Sequence, residues 1–445
     1  MNLIVSDKRR VILGLGKTGY SCVKFLSDQN IPVTVCDTRE NPPYLERCKK
    51  EYPNVTIQLG ELDGEYLASF THIIISPGLA LNHPAIAFAK NKGVEIIGDV
   101  DLFVQNSQAK LVAITGSNAK STVTSLVGHL LESVDLKVKV GGNLGKPMLE
   151  LLDDQTQVYV LELSSFQLET THQLNADVAT VLNVSEDHMD RYTSFSQYYM
   201  AKHRVFNGCK SIVVNRDDAM TQPLVSDNYP KITFAKGSPD INQYGLIELD
   251  SLLYLAKGFN PIIAVSQLSL MGRHNYCNYL AALAICDSLG YEPKQFIEAL
   301  KTFKGLTHRC EKIKTINDVV FINDSKATNV GATLAAIDGL SDKEIHLILG
   351  GVAKGADFSD LKPAIKSQVT SVSLIGECAD ELLELLKDEC IIQKHESLAE
   401  SVNWLFERAH ENDVIMLSPA CASFDMFENF EKRGEAFSKI VETLK

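Results

Sequence analysis

No apolar run in this sequence approaches the ~20 residues that a membrane-spanning helix needs. There is no C-x-x-C pair. The ten cysteines stand singly from Cys22 to Cys421, which excludes the usual zinc and redox motifs and fits a reducing compartment. Positive charge is not in excess either. A formal net charge of −13 argues against nucleic acid or an anionic membrane as the main partner, since both select basic surfaces. An anionic small substrate stays possible, because it needs only a few local cations. Low-complexity segments and short-period repeats are lacking too. Met1 to Arg10 has a short apolar run followed by basic residues and no h-region, so the expectation is a soluble, cytoplasmic protein.

What the chain does have is length and apolar content. Its 445 residues, 45% hydrophobic and 22% charged, suffice for about three domains, each with a core. In residues 1–97 the pattern predicts strands at Val11–Leu15, Pro32–Cys36 and Ile73–Ser76, with helices at Tyr20–Asp28 and His83–Lys92. In residues 98–305 it predicts strands at Val158–Leu163, Val178–Asn183 and Ser211–Asn215, and helices at Tyr276–Leu289 and Pro293–Phe303. In residues 306–445, strands at Val319–Ile322, His346–Leu349, Val372–Ile375 and Val414–Leu417 alternate with helices. Lys304-Gly305-Leu306-Thr307, small and polar, reads as a hinge. The prediction is an α/β protein of three domains in series, with parallel sheets in at least the first two.

Two turns carry phosphate chemistry. The apolar run Leu111–Ile114 leads into Thr115-Gly116-Ser117-Asn118-Ala119-Lys120-Ser121-Thr122, and Val123, Leu126, Val127, Leu130, Leu131 and Val134 then recur at helical spacing. Strand, loop and helix N-terminus in that order present backbone N–H groups and a positive dipole end to phosphate. Lys120 adds a charge, and Ser121 offers a hydroxyl to a phosphate-bound Mg²⁺. The strict pattern G-x-x-x-x-G-K-[ST] is not met, because Ile114 and Ala119 stand where it has glycines. The second turn is Gly14-x-Gly16-x-x-Gly19, with Asp37 about twenty residues on. It admits a diphosphate without naming the nucleoside. A nicotinamide dinucleotide and a uridine diphosphate sugar both satisfy it.

Other residues are ambiguous by themselves. Glu162, ending an apolar strand, is either an ordinary strand-end carboxylate or a second Mg²⁺ ligand. His188, with Asp187 and Asp190, follows a strand in the nucleotide-binding unit. Asn143 is a turn former or a polar contact for substrate, and Lys202 reads as a surface helix lysine.

The combination is more specific. The phosphate loop, Leu163-Ser164-Ser165-Phe166-Gln167-Leu168, Ser185-Glu186-Asp187-His188-Met189-Asp190, Gly272-Arg273-His274-Asn275, Leu306-Thr307-His308-Arg309, Asn323-Asp324-Ser325-Lys326-Ala327-Thr328-Asn329 and Ser418-Pro419-Ala420-Cys421-Ala422-Ser423-Phe424-Asp425 occur in this order. Over essentially its whole length the chain resembles the Mur ligase family. The resemblance implies a Rossmann-like UDP-binding domain at 1–97, a central P-loop ATPase-type domain at 98–305, and a Rossmann-like C-terminal domain at 306–445 with the adenosine and D-glutamate contacts. It implies ATP-dependent amide synthesis in cell-wall assembly, on UDP-N-acetylmuramoyl-L-alanine and D-glutamate, by way of an acyl phosphate and a tetrahedral intermediate. A sister activity adding another amino acid is the alternative.

The same resemblance assigns roles. Gly116, Ser117, Asn118, Ala119, Lys120, Ser121 and Thr122 would bind ATP phosphates, and Asn275, Arg309 and Asp324 the adenosine. Ser121 and Glu162 would hold one Mg²⁺; His188 and Lys202, carbamylated to an anion, would hold a second. Lys17, Thr18, Asp37, Thr38, Arg39 and Gly78 would take the UDP moiety, with Asn143 and His188 on the muramoyl-alanine part. Lys326, Thr328, Lys354, Ser423, Phe424 and Phe430 would form the D-glutamate side. Lys120, His188, Lys202, Lys326 and Lys354 would be catalytic, no partner beyond small molecules is implied, and a monomer suffices. Two departures stand out. Ala119 replaces a glycine common in the family, which is harmless at negative φ and costly at positive φ. Val352-Ala353 precedes Lys354 where a more polar or glycine-containing stretch is usual.

An oxidoreductase explains residues 11–37 and nothing after 110. A kinase or regulatory NTPase explains 111–122 but leaves the first domain without a task. A non-catalytic UDP-sugar binder has no use for Mg²⁺-type ligands.

Overall fold

Apolar runs bounded by turn residues become the strands of three sheets in the computed structural model, which describes residues 8–444 except 190, 224, 227, 271, 341 and 342. Asp190, grouped above with Asp187 and His188, therefore lies outside the described residues.

The first sheet has strand order Thr56–Leu59, Val33–Asp37, Arg10–Leu13, His72–Ile75, Glu95–Ile97, all parallel. The order reverses between Arg10–Leu13 and its two neighbours, so the loops at their C-terminal ends diverge and leave a crevice there. The strand expected to reach Leu15 stops at Leu13, because Gly14 takes φ +90° and turns the chain. Helix Lys17–Asp28 begins three residues earlier than its apolar pattern announces.

The middle sheet has the order Asn260–Ala264, Leu252–Lys257, Gln243–Leu249, Lys231–Phe234, Ser211–Asn215, Val178–Val181, Lys110–Thr115, Val158–Glu162, Val138–Gly142. Lys110–Thr115 lies between Val158–Glu162 and Val178–Val181, so three C-terminal loops converge beside the phosphate loop. Helix Lys120–Glu132 buries Val123, Leu126, Val127, Leu130 and Leu131 completely against this sheet and helix Arg273–Ser288. Each such side chain contributes about 1.5–3 kcal/mol over an exposed one.

The expectation of a parallel middle sheet holds only in part. Gln243–Leu249, Leu252–Lys257 and Asn260–Ala264 form an antiparallel meander at its edge. The first turn of the meander is Asp250-Ser251, both residues at positive φ, a two-residue turn whose twist matches antiparallel strands. The third sheet, Glu311–Ile316, Val319–Asn323, Val414–Leu417, Ile345–Gly350, Val369–Ile375, Ile391–Lys394, is parallel except for its first pair. That pair turns at Asn317-Asp318, again with both residues at positive φ.

One apolar cluster runs through the first and middle units, from Ile12, Val35 and Ile74 to Phe103, Tyr159 and Leu161. The clusters of the third unit contain only its own residues. No helix among the described residues is long and apolar enough to cross a membrane.

Candidate active site

The first crevice opens where the strand order reverses, as a cavity of about 530 Å³. Gly14, Gly16, Lys17, Thr18, Asp37, Thr38, Arg39 and Gly78 all line it. The fingerprint glycines let helix Lys17–Asp28 come close, so its N-terminal N–H groups face the cavity. The Asp37 carboxylate is buried and fully engaged. It accepts from Leu15 N at 2.6 Å and takes a two-pronged contact from Arg39, Nε at 2.9 Å and Nη2 at 2.7 Å. Burial alone would raise its pKa; these bonds outweigh it and hold the group below the usual carboxylate range.

A second cavity, of about 520 Å³, lies at the C-terminal edge of the middle sheet, closed over by the third unit. Asn143 lines both cavities. Its Nδ2 donates to Glu162 Oε1 at 2.6 Å, and Ser121 donates to Glu162 Oε2 at 2.5 Å. Arg309, from the third unit, donates to the Ser121 hydroxyl at 2.7 Å.

The phosphate loop turns through Gly116 at φ 155° and Ala119 at φ 65°. Ala119 is therefore in the left-handed region, where a Cβ is strained by about 1–2 kcal/mol. The loop is held by its neighbours: Ser117 N bonds Asn183 O at 2.9 Å, Asn118 N bonds Asn183 Oδ1 at 2.7 Å, and Ser117 Oγ meets Tyr198 OH at 2.9 Å. Lys120 Nζ donates to Gly116 O and Ser117 O, both at 2.8 Å.

Lys202 overturns its appearance as a surface lysine. Its side chain is buried, and Nζ donates to the same Gly116 carbonyl at 2.8 Å, over the Tyr198 ring. Burial, reinforced by repulsion from Lys120, pushes its amine well below the ordinary lysine pKa. Burial likewise lowers Lys120 and Arg309, and it brings Lys326 down to about 8 with help from Arg309 and Lys120. Lys120, Lys202, Arg309 and Lys326 gather here with Glu162, Asp187 and Asp324, a set of cations for phosphates and carboxylates beside carboxylates suited to a divalent cation.

His188 takes φ 58° and sets its ring 4.9 Å from Phe166 on the cavity wall. Beside it, Asp187 is desolvated, yet His188, Lys354 and Lys120 hold its pKa below the usual range. Lys354 Nζ is 3.3 Å from Asp187 Oδ1, and Asn329 reaches both Asp187 Oδ2 at 3.3 Å and Asn118 Oδ1 at 3.1 Å. Asp324 accepts from Cys310 N at 3.1 Å and from Ser418 Oγ at 2.8 Å; burial still pushes it up to about 6.

Most of the expected nucleotide residues share this second cavity: Ser117 to Thr122, Glu162, His188, Lys202, Asn275, Arg309, Asp324, Lys326 and Thr328 line it. Gly116 supports it from beneath through its carbonyl. Lys354, Ser423, Phe424 and Phe430 line neither cavity. Phe424 is 72% exposed, Ser423 is buried in its own loop, and Phe430 lies under Lys326 Nζ at 4.1 Å. Asn329, Arg433 and Tyr198 escaped the sequence reading. Arg433 is buried and donates to Ser325 O at 2.9 Å and Cys421 O at 3.0 Å, tying the Asp324–Asn329 loop on the cavity wall to the Ser418–Asp425 loop behind it. Asn329 ends the Asn323–Asn329 segment that drew attention for Asp324, Lys326 and Thr328, so its place was marked though its role was not; Arg433 had no local signal.

The paired Ser121 hydroxyl and Glu162 carboxylate are hard oxygen donors and fit Mg²⁺, which keeps waters and phosphate oxygens as its other ligands. Among the described residues no group of three or more His, Cys, Asp or Glu gathers as a metal cage. As an ammonium Lys202 has no lone pair for a metal. Burial, with Lys120 close by, works against its charged form.

Comparison with known proteins agrees along the whole chain. Three family models match in succession: "Mur ligase MurD-like, N-terminal domain" over residues 8–98, "Mur ligase middle domain" over 114–286, and "Mur ligase, glutamate ligase domain" over 308–421. The chain is 49% identical over 447 residues to the UDP-N-acetylmuramoylalanine–D-glutamate ligase of Pseudomonas aeruginosa, covering 100% of both. It is 46% identical over 447 residues to the ligase of that name from Hahella chejuensis, again covering 100% of both. In fold it is similar to a pseudomurein peptide ligase type C from Methanothermus fervidus (TM-score 0.62, 19% identity, 99% of this chain and 100% of that one). It is also similar to the UDP-N-acetylmuramate-alanine ligase of Thermotoga maritima (TM-score 0.60, 18% identity, 98% and 100%). The chain belongs to the Mur ligase family.

Proposed function

We propose that this chain joins D-glutamate to UDP-N-acetylmuramoyl-L-alanine at the expense of ATP, a step of peptidoglycan precursor synthesis. The observation that carries this reading is the shared wall of the two cavities. Asn143 belongs to both, so a UDP-linked carboxylate crossing from the first meets a nucleotide γ-phosphate in the second. The domain limits we assign are 1–97 for the UDP-sugar, 98–305 for ATP, and 306–445 for adenosine and D-glutamate. Both cavities come from one chain, so a monomer suffices, and we assign it to the cytoplasm, where its ten singly spaced cysteines fit a reducing compartment.

The residues then divide the work. The N–H groups of the phosphate loop and Lys120 hold the β- and γ-phosphates, and Arg309 and Lys326 neutralise charge that gathers as the carboxylate oxygen attacks phosphorus. Mg²⁺, held by Ser121 and Glu162 and by His188 with carbamylated Lys202, would supply Lewis-acid stabilisation of the same charge. The substrate carboxylate displaces ADP and becomes an acyl phosphate. The neutral amine of D-glutamate adds to its carbonyl carbon, giving a tetrahedral intermediate; loss of a proton and expulsion of phosphate leave the amide. Lys326 and Thr328 face the D-glutamate carboxylates, with Lys354, Ser423, Phe424 and Phe430 framing that end as the domains close about Lys304–Thr307. Asn275 and Asp324 hold the adenosine together with Arg309, whose bond to Ser121 also brings its charge beside the phosphate loop. The other contacts of the UDP moiety are Lys17, Thr18, Asp37, Thr38, Arg39 and Gly78.

Purified protein with UDP-N-acetylmuramoyl-L-alanine, ATP and Mg²⁺ releases phosphate only when D-glutamate is added. Phosphate release without D-glutamate refutes the reading, and a different amino acid outcompeting it moves the chain to a sister activity. Lys202→Ala abolishes turnover, and acetate restores part of it. Failure of every small carboxylate to rescue removes the carbamate from the scheme.

A further inference from the structure

Arg191 leaves the His188 loop and reaches into the first domain. Its Nη1 donates to Pro77 O at 2.6 Å and its Nη2 to Leu79 O at 2.9 Å. Those two carbonyls flank Gly78 on the rim of the first cavity. The guanidinium carbon sits 4.0 Å from the centre of the Phe166 ring, and Glu169 lies 3.7 Å away. Phe166 is a wall residue of the second cavity, and the His188 ring rests 4.9 Å from it. One side chain thus grips the rim of one cavity while sharing an aromatic shelf with a residue of the other.

This arrangement demands arginine. A planar guanidinium donates to the two carbonyls from separate nitrogens while its face stays stacked on the ring; a single ammonium nitrogen can share its donors or sit over a ring, but it has no flat face to hold all three contacts in this geometry. The side chain is only 17% exposed, so its charge-assisted bonds are formed largely out of water, where they are strong and directional. Neither cavity has Arg191 among its lining residues, so it acts through others.

We infer that Arg191 is a positioning residue for the ligase reaction: it fixes the Pro77–Leu79 turn relative to His188, so that a sugar nucleotide seated at Gly78 delivers its carboxylate in register with the phosphate loop. The inference rests on the function proposed above. A second prop for the same register runs below it. Phe166 stacks on Tyr192 at 5.8 Å, Tyr192 meets Tyr198 edge-on at 5.3 Å, and Tyr198 bonds Ser117 of the phosphate loop. Removing the Arg191 guanidinium therefore disturbs alignment between substrates, while Phe166, Tyr192 and Tyr198 still brace the phosphate loop and keep the nucleotide pocket built.

The test is steady-state kinetics on Arg191→Ala, Arg191→Lys and Phe166→Leu, with thermal unfolding of each. Arg191→Ala raises KM for the UDP-substrate roughly tenfold or more and lowers kcat, while KM for ATP stays within about twofold. Arg191→Lys keeps the charge without the planar fork and remains clearly impaired in the same two parameters. Phe166→Leu combined with Arg191→Ala costs less than the sum of the single changes, because both remove one unit. If Arg191→Ala fails to fold, the lysine variant and Phe166→Leu carry the comparison. UDP-substrate KM and kcat within about twofold of wild type overturn the inference. So does an equal loss of affinity for all three substrates, the mark of a merely structural role. Wild-type phosphate release that ignores D-glutamate breaks the functional reading instead, so the two failures are distinguishable.

Discussion

Gly19→Ala tests how closely the first crevice is built. An alanine Cβ at this position would lie 1.7 Å from the carbonyl oxygen of Gly14 and 2.9 Å from both the Gly14 carbonyl carbon and Ser76 Oγ. Real Cβ atoms need about 3.0 Å, so helix Lys17–Asp28 must retreat by roughly 1.3 Å from the strand end. The obstacle is backbone, with no flexible tip to swing aside. Gly14 cannot yield cheaply either: its N–H bonds Cys36 O at 2.8 Å, its carbonyl accepts Ser76 Oγ at 3.1 Å, and it holds φ +90°. Overpacking of this kind costs about 1–3 kcal/mol, and a backbone obstacle puts it at the upper end. The first unit shares its core with the second, and at about 2.1 cal/mol/K per residue over a block of roughly 300 residues that is a fall of roughly 2–5 °C in unfolding temperature. The retreat also draws the helix N-terminus away from the diphosphate, so KM for the UDP-substrate rises, while ATP affinity in the second cavity holds. Gly16→Ala is the control, since a Cβ there meets nothing within 4 Å and its φ is −85°. It folds like the wild type but places a methyl on the cavity lining, raising KM alone. Differential scanning fluorimetry and initial rates check both. A Gly19→Ala protein with unchanged unfolding temperature and unchanged KM refutes the reasoning.

Two further predictions concern the second cavity. Ala119→Val places a β-branched side chain at φ 65° and costs about 1–2 kcal/mol beyond alanine, whereas Ala119→Gly stays within about 1 kcal/mol because relief of strain is offset by glycine's unfolded-state entropy; urea unfolding distinguishes them, and equal stabilities would mean a negative φ. Lys326, brought down to about 8 from an ordinary 10.5, binds fewer protons folded than unfolded between those values, so its contribution to stability improves as pH rises through that window. D-glutamate binding has the opposite trend: KM rises above about pH 8 as the ammonium is lost, and Lys326→Arg moves that limb upward. A limb that does not move in the arginine variant assigns it to another group.

Where a function depends on local backbone, the sequence was legible. Both phosphate turns lie on strand-to-helix junctions, as their glycines and flanking periodicities indicated. Strand interiors such as Ser211–Asn215 and Val414–Leu417 agree with their apolar runs to the residue. The antiparallel meander was hidden because Asp250-Ser251 closes a turn usually marked by Asn-Gly, and because its strands carry exposed Leu249 and Leu252. Lys202 was misread for a different reason. Its partner, the Gly116 carbonyl, is 86 positions away, and nothing in Tyr-Tyr-Met-Ala-Lys-His announces burial. Family resemblance supplied that residue, and it also supplied Ser423, Phe424 and Phe430, which line neither cavity.

The uneven distribution of apolar clusters has a mechanical consequence. The first two units share one core, so separating them exposes hydrocarbon to water and is costly. Facing the cavity, the third unit meets them through Arg309–Ser121, Asn329–Asn118 and Lys354–Asp187, polar contacts that water can replace one for one. The protein is thus a rigid two-domain anvil with a detachable third block. Calorimetry should show two melting blocks instead of three, and added salt should loosen the second joint while leaving the first intact.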